Sequence, residues 1–354
     1  MARRLCPCRD GLPLPAGRLS PWARPVVWVG LALLSACAAP RTGVDPNQPM
    51  IDAVARVLPA VVDLEVVAAG PAARALGRER RGAGVVVTPE GHILTVAHIV
   101  LGAERLTATF PSGHQVTGEI AGIDTETGLA LLRIPPFAGM AVAPLGPGRS
   151  LKLAQLCVAV GSQGGTLRSV GTGSLDAFPP FEGYWEYRLD RVLQTNAGTH
   201  PLSPGGPLLD AAGQVIGILA FAAPDDQTVA FAIPVDLVTG VLPELIRAGR
   251  VTSRAPRPWL GTYTVTTERG VGVVGVTPGS PADRAGVRQR DLILQVNGVP
   301  VESRGDFYAA LWRGRVGDPV ELVLQREDQS LRLVLRAGDR QMFFASPLQP
   351  GLAP

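Results

Sequence analysis

Aromatic residues make up only 5% of the 354-residue chain and charged residues only 18%, against 46% hydrophobic residues. So few charges beside so much apolar content exclude a disordered chain, and the length allows about two or three domains with sizeable cores. Cysteine is scarce as well: Cys6, Cys8, Cys37 and Cys157 are all there is, and the first three fall in a segment read below as leader and anchor. Cys157 then stands alone, so no disulfide framework is possible in the mature chain. It lies in Leu156-Cys157-Val158-Ala159-Val160, where a buried strand position accounts for it better than a nucleophile or a metal ligand. The four histidines, His92, His98, His114 and His200, show no metal-ligand spacing, so neither a metal nor another cofactor is expected.

A strong field of one sign is also missing. The formal charge is +3, but Arg3, Arg4, Arg9, Arg18 and Arg24 against Asp10 place +4 within residues 1–36, which leaves the remainder at −1. A near-neutral body offers no phosphate-tracking surface, and nucleic acid is excluded as a partner.

Glycine and proline are plentiful, at 42 and 33 residues, which suits many short strands joined by turns. Apolar runs such as Val85-Val86-Val87, Leu129-Ala130-Leu131-Leu132 and Val215-Ile216-Gly217-Ile218-Leu219, divided by Gly, Pro and Asp, predict a mainly β fold built as a sandwich or a pair of barrels. The stretch from Gly249 to Pro258 is rich in Arg and Pro and marks a linker, after which a compact run of strands and two short helical stretches reaches about Gly338. The last residues, from Ser346, read as a loose tail.

At the N-terminus the basic stretch ending at Arg24 leads into an apolar run, Pro25 to Leu34, too short to span a membrane as a mature helix. It reads as a signal peptide. Leu34-Ser35-Ala36-Cys37, directly after it, resembles the bacterial lipobox, which implies lipidation of Cys37 and an exported, periplasm-facing protein held to a membrane by its lipid. The expected organisation is a signal peptide with lipobox over residues 1–37, a tether over 38–50, a body over 51–247, a linker over 248–257, a second domain over 258–340 and a tail over 341–354.

Gly82-Ala83-Gly84-Val85-Val86-Val87, followed by Gly91-His92-Ile93-Leu94-Thr95-Val96-Ala97-His98, resembles the strand pair that carries the general-base histidine in HtrA/Deg serine proteases. The resemblance puts His98 in that role. Gly122-Ile123-Asp124-Thr125-Glu126-Thr127-Gly128-Leu129-Ala130 resembles the segment bearing the triad aspartate, with Gly128 in its place, and Leu202-Ser203-Pro204-Gly205-Gly206-Pro207 resembles the nucleophile loop, with Pro204 where the serine stands. Phe231-Ala232-Ile233-Pro234 is similar to the family's closing strand. The fold implied is a chymotrypsin/trypsin-like double β-barrel followed by one PDZ domain.

Each departure has a chemical consequence. Losing the aspartate's carboxylate costs about 10⁴ in turnover in such triads. A proline brings neither a hydroxyl nor a backbone N–H, so Pro204 removes the nucleophile and one of the two oxyanion-hole amides the family uses, a donor typically worth ~10²–10³ in rate. The other amide falls on Leu202, which cannot adopt the positive φ of the family's glycine as cheaply. Ser203 is one position early, which spoils attack geometry, and Asp124 sits in a turn where capping is its plainer role. His98 then reads as a retained, vestigial residue, and His200 as a solvated loop residue that a bound peptide could meet.

Pro258-Trp259-Leu260-Gly261-Thr262 is similar to the carboxylate-binding loop of the family's PDZ domains, and Val276-Thr277-Pro278-Gly279-Ser280-Pro281-Ala282 through Asn297-Gly298 follows their pattern. The resemblance implies that the amides of Leu260, Gly261 and Thr262 cap a peptide's terminal carboxylate while the peptide adds as a strand. Phe307, Ala310 and Leu311, on the following helical stretch, are the expected groove-lining residues, some of them shared with the core. The chain so read is a pseudoprotease that binds unfolded envelope proteins or C-terminal peptides as adaptor, sensor or holdase. Two other readings stay open: an active endopeptidase using Ser203 and His98, and a regulatory subunit joining an intact HtrA protease, with homotrimers implied by the family.

Overall fold

The computed structural model describes residues 47–345, apart from residues 149, 199, 202, 224 and 225. The leader, the lipobox with Cys37, the tail from residue 346 and Leu202 lie outside the described residues. The described residues belong to one compact unit.

Helix α1 (Gln48–Val57) opens the fold ahead of the expected start at Ile51. Pro49 sits in its first turn, where the missing N–H would have no helical partner, so the proline taken as part of a tether begins a helix instead. Strand β1 (Val61–Ala68), helix α2 (Gly70–Leu76), β2 (Glu79–Val86), β3 (His92–Val96), helix α3 (Ala97–Val100), β4 (Ala103–Thr109), β5 (Gln115–Thr117), β6 (Glu119–Asp124) and β7 (Leu129–Arg133) follow. The seven strands make one sheet in the order β5-β4-β1-β2-β3-β7-β6, with β5 and β6 as its edges.

The second sheet closes. Strands β8 (Leu156–Gly164), β9 (Leu167–Ala177), β12 (Leu193–Thr195), β13 (Pro207–Asp210), β14 (Val215–Ala223) and β15 (Asp226–Pro234) form a barrel in the order β12-β15-β14-β13-β8-β9, and β10 (Phe181–Gly183) pairs with β11 (Tyr187–Leu189) as a separate hairpin. Cys157 is buried in β8 beside Thr195 Oγ1 at 3.1 Å, and burial raises its thiol pKa, the environment of an inert structural cysteine. Helix α4 (Val235–Ala248) buries Val235, Val238, Val241 and Leu245 and ends at Gly249, whose φ of 67° supplies the left-handed cap.

The next segment is not slack. Arg254 Nη2 reaches the buried Asp124 carboxylate at 2.5 Å, and Arg254 Nε and Arg257 Nε each lie 3.1 Å from Glu126 Oε2, so the linker is pinned to the β6–β7 turn. The last domain then holds β16 (Pro258–Trp259), β17 (Thr262–Thr267), β18 (Gly270–Val276), α5 (Pro281–Arg284), β19 (Leu292–Val296), β20 (Val299–Pro300), α6 (Arg304–Leu311), β21 (Pro319–Arg326), β22 (Gln329–Arg336) and β23 (Gly338–Asp339). Its main sheet runs β17-β18-β19-β21-β22, leaving β17 as an edge strand beside α6. Helix α7 (Arg340–Phe343) continues into residues expected to be tail: Phe344 is buried, and Phe343 and Phe344 pack on Trp259 with ring centroids 4.8 and 5.6 Å away.

Candidate functional site

His98 lies on α3, directly after β3, where the amide of Ala97 is tied to the Gly128 carbonyl at 2.7 Å. That bond sets the β7 turn beside the imidazole. The ring stacks on Phe221 at 5.8 Å between centroids, and among the described residues no carboxylate is bonded to it. Burial, then the Arg80 and Arg340 guanidinia, push its pKa down to about 4, so the ring is neutral at pH 7. Arg80 itself is buried and donates to the carbonyls of His98 and Leu101. A general base needs a partner that welcomes its proton; here the neighbouring charges are positive.

At the aspartate's position Gly128 has φ 77°, and a Cβ built on it would stand 2.8 Å from the Tyr187 hydroxyl. That hydroxyl donates to the Thr127 carbonyl at 2.6 Å, so Tyr187 fills the space where an orienting carboxylate would project. Asp124 is no substitute. Its carboxylate accepts from Thr127 Oγ1 at 2.6 Å, from the Glu126 amide at 3.1 Å and from Arg254, which are turn and linker contacts.

The nucleophile loop is turned inward. Ser203 is 2% exposed, and its Oγ accepts from the His200 amide at 3.0 Å and shares a hydrogen bond with Ser169 at 3.2 Å. A Cβ on Gly161 would lie 2.0 Å from that oxygen, which shows how closely it is pressed onto β8. The Pro204 carbonyl accepts from the Ala83 amide at 2.8 Å, which ties the loop to β2. The amides flanking Pro204 are spent, Ser203 on the His200 carbonyl at 2.8 Å and Gly205 on the Leu219 carbonyl at 2.7 Å. Neither is free to receive an oxyanion.

Two cavities lie here, and the smaller adjoins the loop. One of about 240 Å³ is lined by His200, Ser203, Pro204, Phe221 and Ala230. A larger one, about 770 Å³, extends from His98 and Gly128 past Trp185 and Tyr187 to Thr262 and Arg340. Nine aromatic side chains border it, half of the eighteen in the chain, so the few aromatics are concentrated in one place. Phe181 and Phe221 stack there at 4.8 Å, and Trp185 and Tyr187 at 5.7 Å. Arg340 enters with its Nε buried and without an acceptor among the described residues.

The groove of the last domain holds a segment of the chain itself. The amides of Leu260 and Thr262 donate to the two carboxylate oxygens of Glu186 at 2.8 and 2.7 Å, and the Thr262 hydroxyl adds a third bond at 2.7 Å. Between them Gly261 has φ 89°, and a Cβ there would meet Ser280 Cβ at 2.3 Å, so only glycine fits the loop. The amide of Thr264 donates to the Tyr184 carbonyl at 2.7 Å, which adds the β10–β11 turn to the edge of β17. From the other wall Tyr308 donates to the Gly183 carbonyl at 2.5 Å and accepts from the Glu186 amide at 3.0 Å. Glu186 adopts φ 57°, a left-handed conformation costing about 1 kcal/mol outside glycine, in order to aim its carboxylate into the loop. Burial raises its pKa against the pull of those donors.

The residues expected to line the groove sit elsewhere. Phe307, Ala310 and Leu311 are buried in the domain's own core with Ile293 and Leu322. Helix α6 is phased by its Ser303–Asp306 capping box so that Arg304 and Tyr308, one turn apart, face β17. Tyr308, Glu186 and Tyr187 were missed by sequence reasoning; the available signal was Tyr184-Trp185-Glu186-Tyr187, a dense aromatic run in an aromatic-poor chain.

Comparison with known proteins places these features. A trypsin-like peptidase domain model matches residues 82–218 and a PDZ domain model residues 258–336. The putative serine protease HhoA of Synechocystis sp. is 31% identical over 287 residues, covering 73% of this chain and 72% of that protein. A probable periplasmic serine endoprotease, DegP-like, of Halomonas elongata is 29% identical, over 76% of this chain and 59% of its own length. Among solved structures, the serine endoprotease from Yersinia pestis is 28% identical with a TM-score of 0.50, covering 82% of this chain and 97% of its own. The HtrA-type protease AlgW with a tripeptide is 27% identical with a TM-score of 0.52, over 82% and 97%.

Proposed function

Since this chain belongs to the DegP/HtrA family of trypsin-like serine proteases with a PDZ domain, we propose that it is a non-cleaving member, a pseudoprotease that binds peptide segments. Pro204 carries this reading. It stands at the family's nucleophile position without hydroxyl or N–H, and the adjacent Ser203 spends its oxygen on the His200 amide and Ser169. Binding is supported by the Leu260 and Thr262 amides, which already converge on a carboxylate. An exported, lipid-anchored position in the envelope is supported by the leader and Cys37 motif and by relatives named as periplasmic.

The purified protein would be incubated with an unfolded protein substrate and with a serine-directed phosphonate, beside its Ser203→Ala and His98→Ala variants. No cleavage and no labelling are expected from any of the three. Cleavage by the parent that disappears in both variants would overturn the reading and make the chain an endopeptidase with a rearranged site.

A further inference from the structure

We propose that the PDZ groove is a carboxylate-exchange site whose resident occupant is the Tyr184–Glu186 turn, and whose incoming ligands are peptide segments offering a carboxylate in the same place. The inference rests on the reading of this domain as a peptide receptor and adds what its ligand must displace and resemble.

The resident turn reproduces each element of a bound peptide. Its carboxylate is gripped by the Leu260 and Thr262 amides at 2.8 and 2.7 Å, the position in which the loop would hold a chain end. Its main chain adds to the edge of β17 through Tyr184 and Thr264 at 2.7 Å. Its flank fills the space above α6, where Gly305 lacks a Cβ that would stand 2.8 Å from Glu182 Oε1. Arg304 Nε, from the same helix, approaches the Glu182 carboxylate at 3.9 Å. A ligand cannot enter beside this turn, because the Leu260 and Thr262 amides and the edge at Thr264 are taken.

The occupant also states a chemical preference. The gripped carboxylate belongs to a side chain, two residues beyond the one that pairs with Thr264, so a chain terminus is not required for the loop to be satisfied. The left-handed φ of 57° at Glu186 shows that an internal residue reaches the loop by turning the main chain away at that point, whereas a terminal residue has no chain to turn. The shared chemistry of the ligands is therefore a peptide carboxylate, from a chain end or from a glutamate in a tight turn.

Two labelled peptides would be titrated against the full chain and its Glu186→Gln and Glu186→Asp variants by fluorescence anisotropy: an end-blocked peptide of residues 181–189, and a decapeptide with a free, leucine-ended carboxylate. The glutamine keeps the shape but turns an NH2 toward a donor, and the aspartate keeps the charge but withdraws it by one methylene. Both peptides are expected to bind the glutamine variant at least tenfold more tightly than the parent, with the aspartate variant between them. Amidating the decapeptide, or replacing the glutamate that corresponds to Glu186 in the end-blocked peptide with glutamine, should abolish the gain. Equal affinity for parent and variants would overturn the exchange while leaving the domain a peptide receptor. Binding of the free-ended peptide alone would overturn the internal carboxylate as a ligand. If no peptide binds any folded variant, as checked by thermal melting, the receptor reading and the exchange fall together.

Discussion

Around His98 the chain keeps a trypsin-like frame in which no carboxylate is bonded to the imidazole among the described residues, whereas beside β17 the Leu260 and Thr262 amides are both engaged with one. The cleft has an imidazole at pKa about 4 with no carboxylate bonded to it among the described residues. The groove has a carboxylate bonded by two amides and a hydroxyl. The contrast shows that burial alone does not decide what a polar group can do. His98, beside Phe221 and near two guanidinia, has surroundings that penalise its charged form, whereas the more deeply buried Glu186 has fixed donors that pull against the same penalty. A buried polar group is tolerated in its charged form only where fixed partners stand beside it.

The comparison breaks most visibly if the cleft can be revived by one change. Pro204→Ser restores a hydroxyl and a backbone N–H but not the orienting acid, so its cleavage of an unfolded substrate should remain at least about 10⁴ below that of an intact family member. A turnover within tenfold of one would show that the cleft is merely missing its serine. In the groove, Phe307→Ala should cost about 3–5 kcal/mol of stability in urea melts, since its side chain is fully buried in the domain core. Tyr308→Phe, which removes only the two bonds to the resident turn, should cost about 1–2 kcal/mol. Equal losses would return Phe307 to the groove wall.

Gly128→Asp should destabilise by about 2–4 kcal/mol, because the added side chain meets the Tyr187 hydroxyl and glycine alone tolerates φ 77° well. Adding Tyr187→Ala should recover the part due to crowding. For His98 the folded pKa of about 4 lies below the unfolded value near 6.5, so the unfolded chain holds more protons between those limits. Its contribution is complete above pH 6.5 and is lost as pH falls toward 4, by about 2 kcal/mol after allowance for a half-buried ring. A His98→Gln variant should lose less stability over that window, and a proton NMR titration should place the imidazole midpoint near pH 4. Smallest of all, Arg254→Ala should cost about 1 kcal/mol, since Asp124 keeps its Thr127 and Glu126 donors. A much larger loss would make the linker latch the main tie between body and PDZ domain.

Much of the site was legible as order along the chain. The runs around Gly128 and Pro204 lie within the matched trypsin-like domain, and the PDZ loop Leu260-Gly261-Thr262 carries its own glycine requirement. The resident turn was not legible, because Glu186 meets Leu260 and Thr262 across 74 and 76 residues and Tyr308 across 122, separations that no local period records. Nor was the phase of α6: Phe307, Tyr308, Ala310 and Leu311 share one broad buried face, and periodicity does not separate its core edge from its groove edge. The linker was misjudged for a similar reason. Arginine and proline mark an exposed connection, but Arg254 and Arg257 have acidic partners more than a hundred residues earlier.

The tyrosine wedged beside Gly128 has a meaning for descent as well as for chemistry. On the pseudoprotease reading, with Tyr187 in the aspartate's space, a single codon change that restores the acid would produce a crowded, less stable protein with no gain in turnover, since Pro204 would still block attack. Selection would meet the cost first. Return to proteolysis would then require at least three coordinated substitutions, each unrewarded alone, so packing would hold the proposed loss of cleavage in place as firmly as the missing serine.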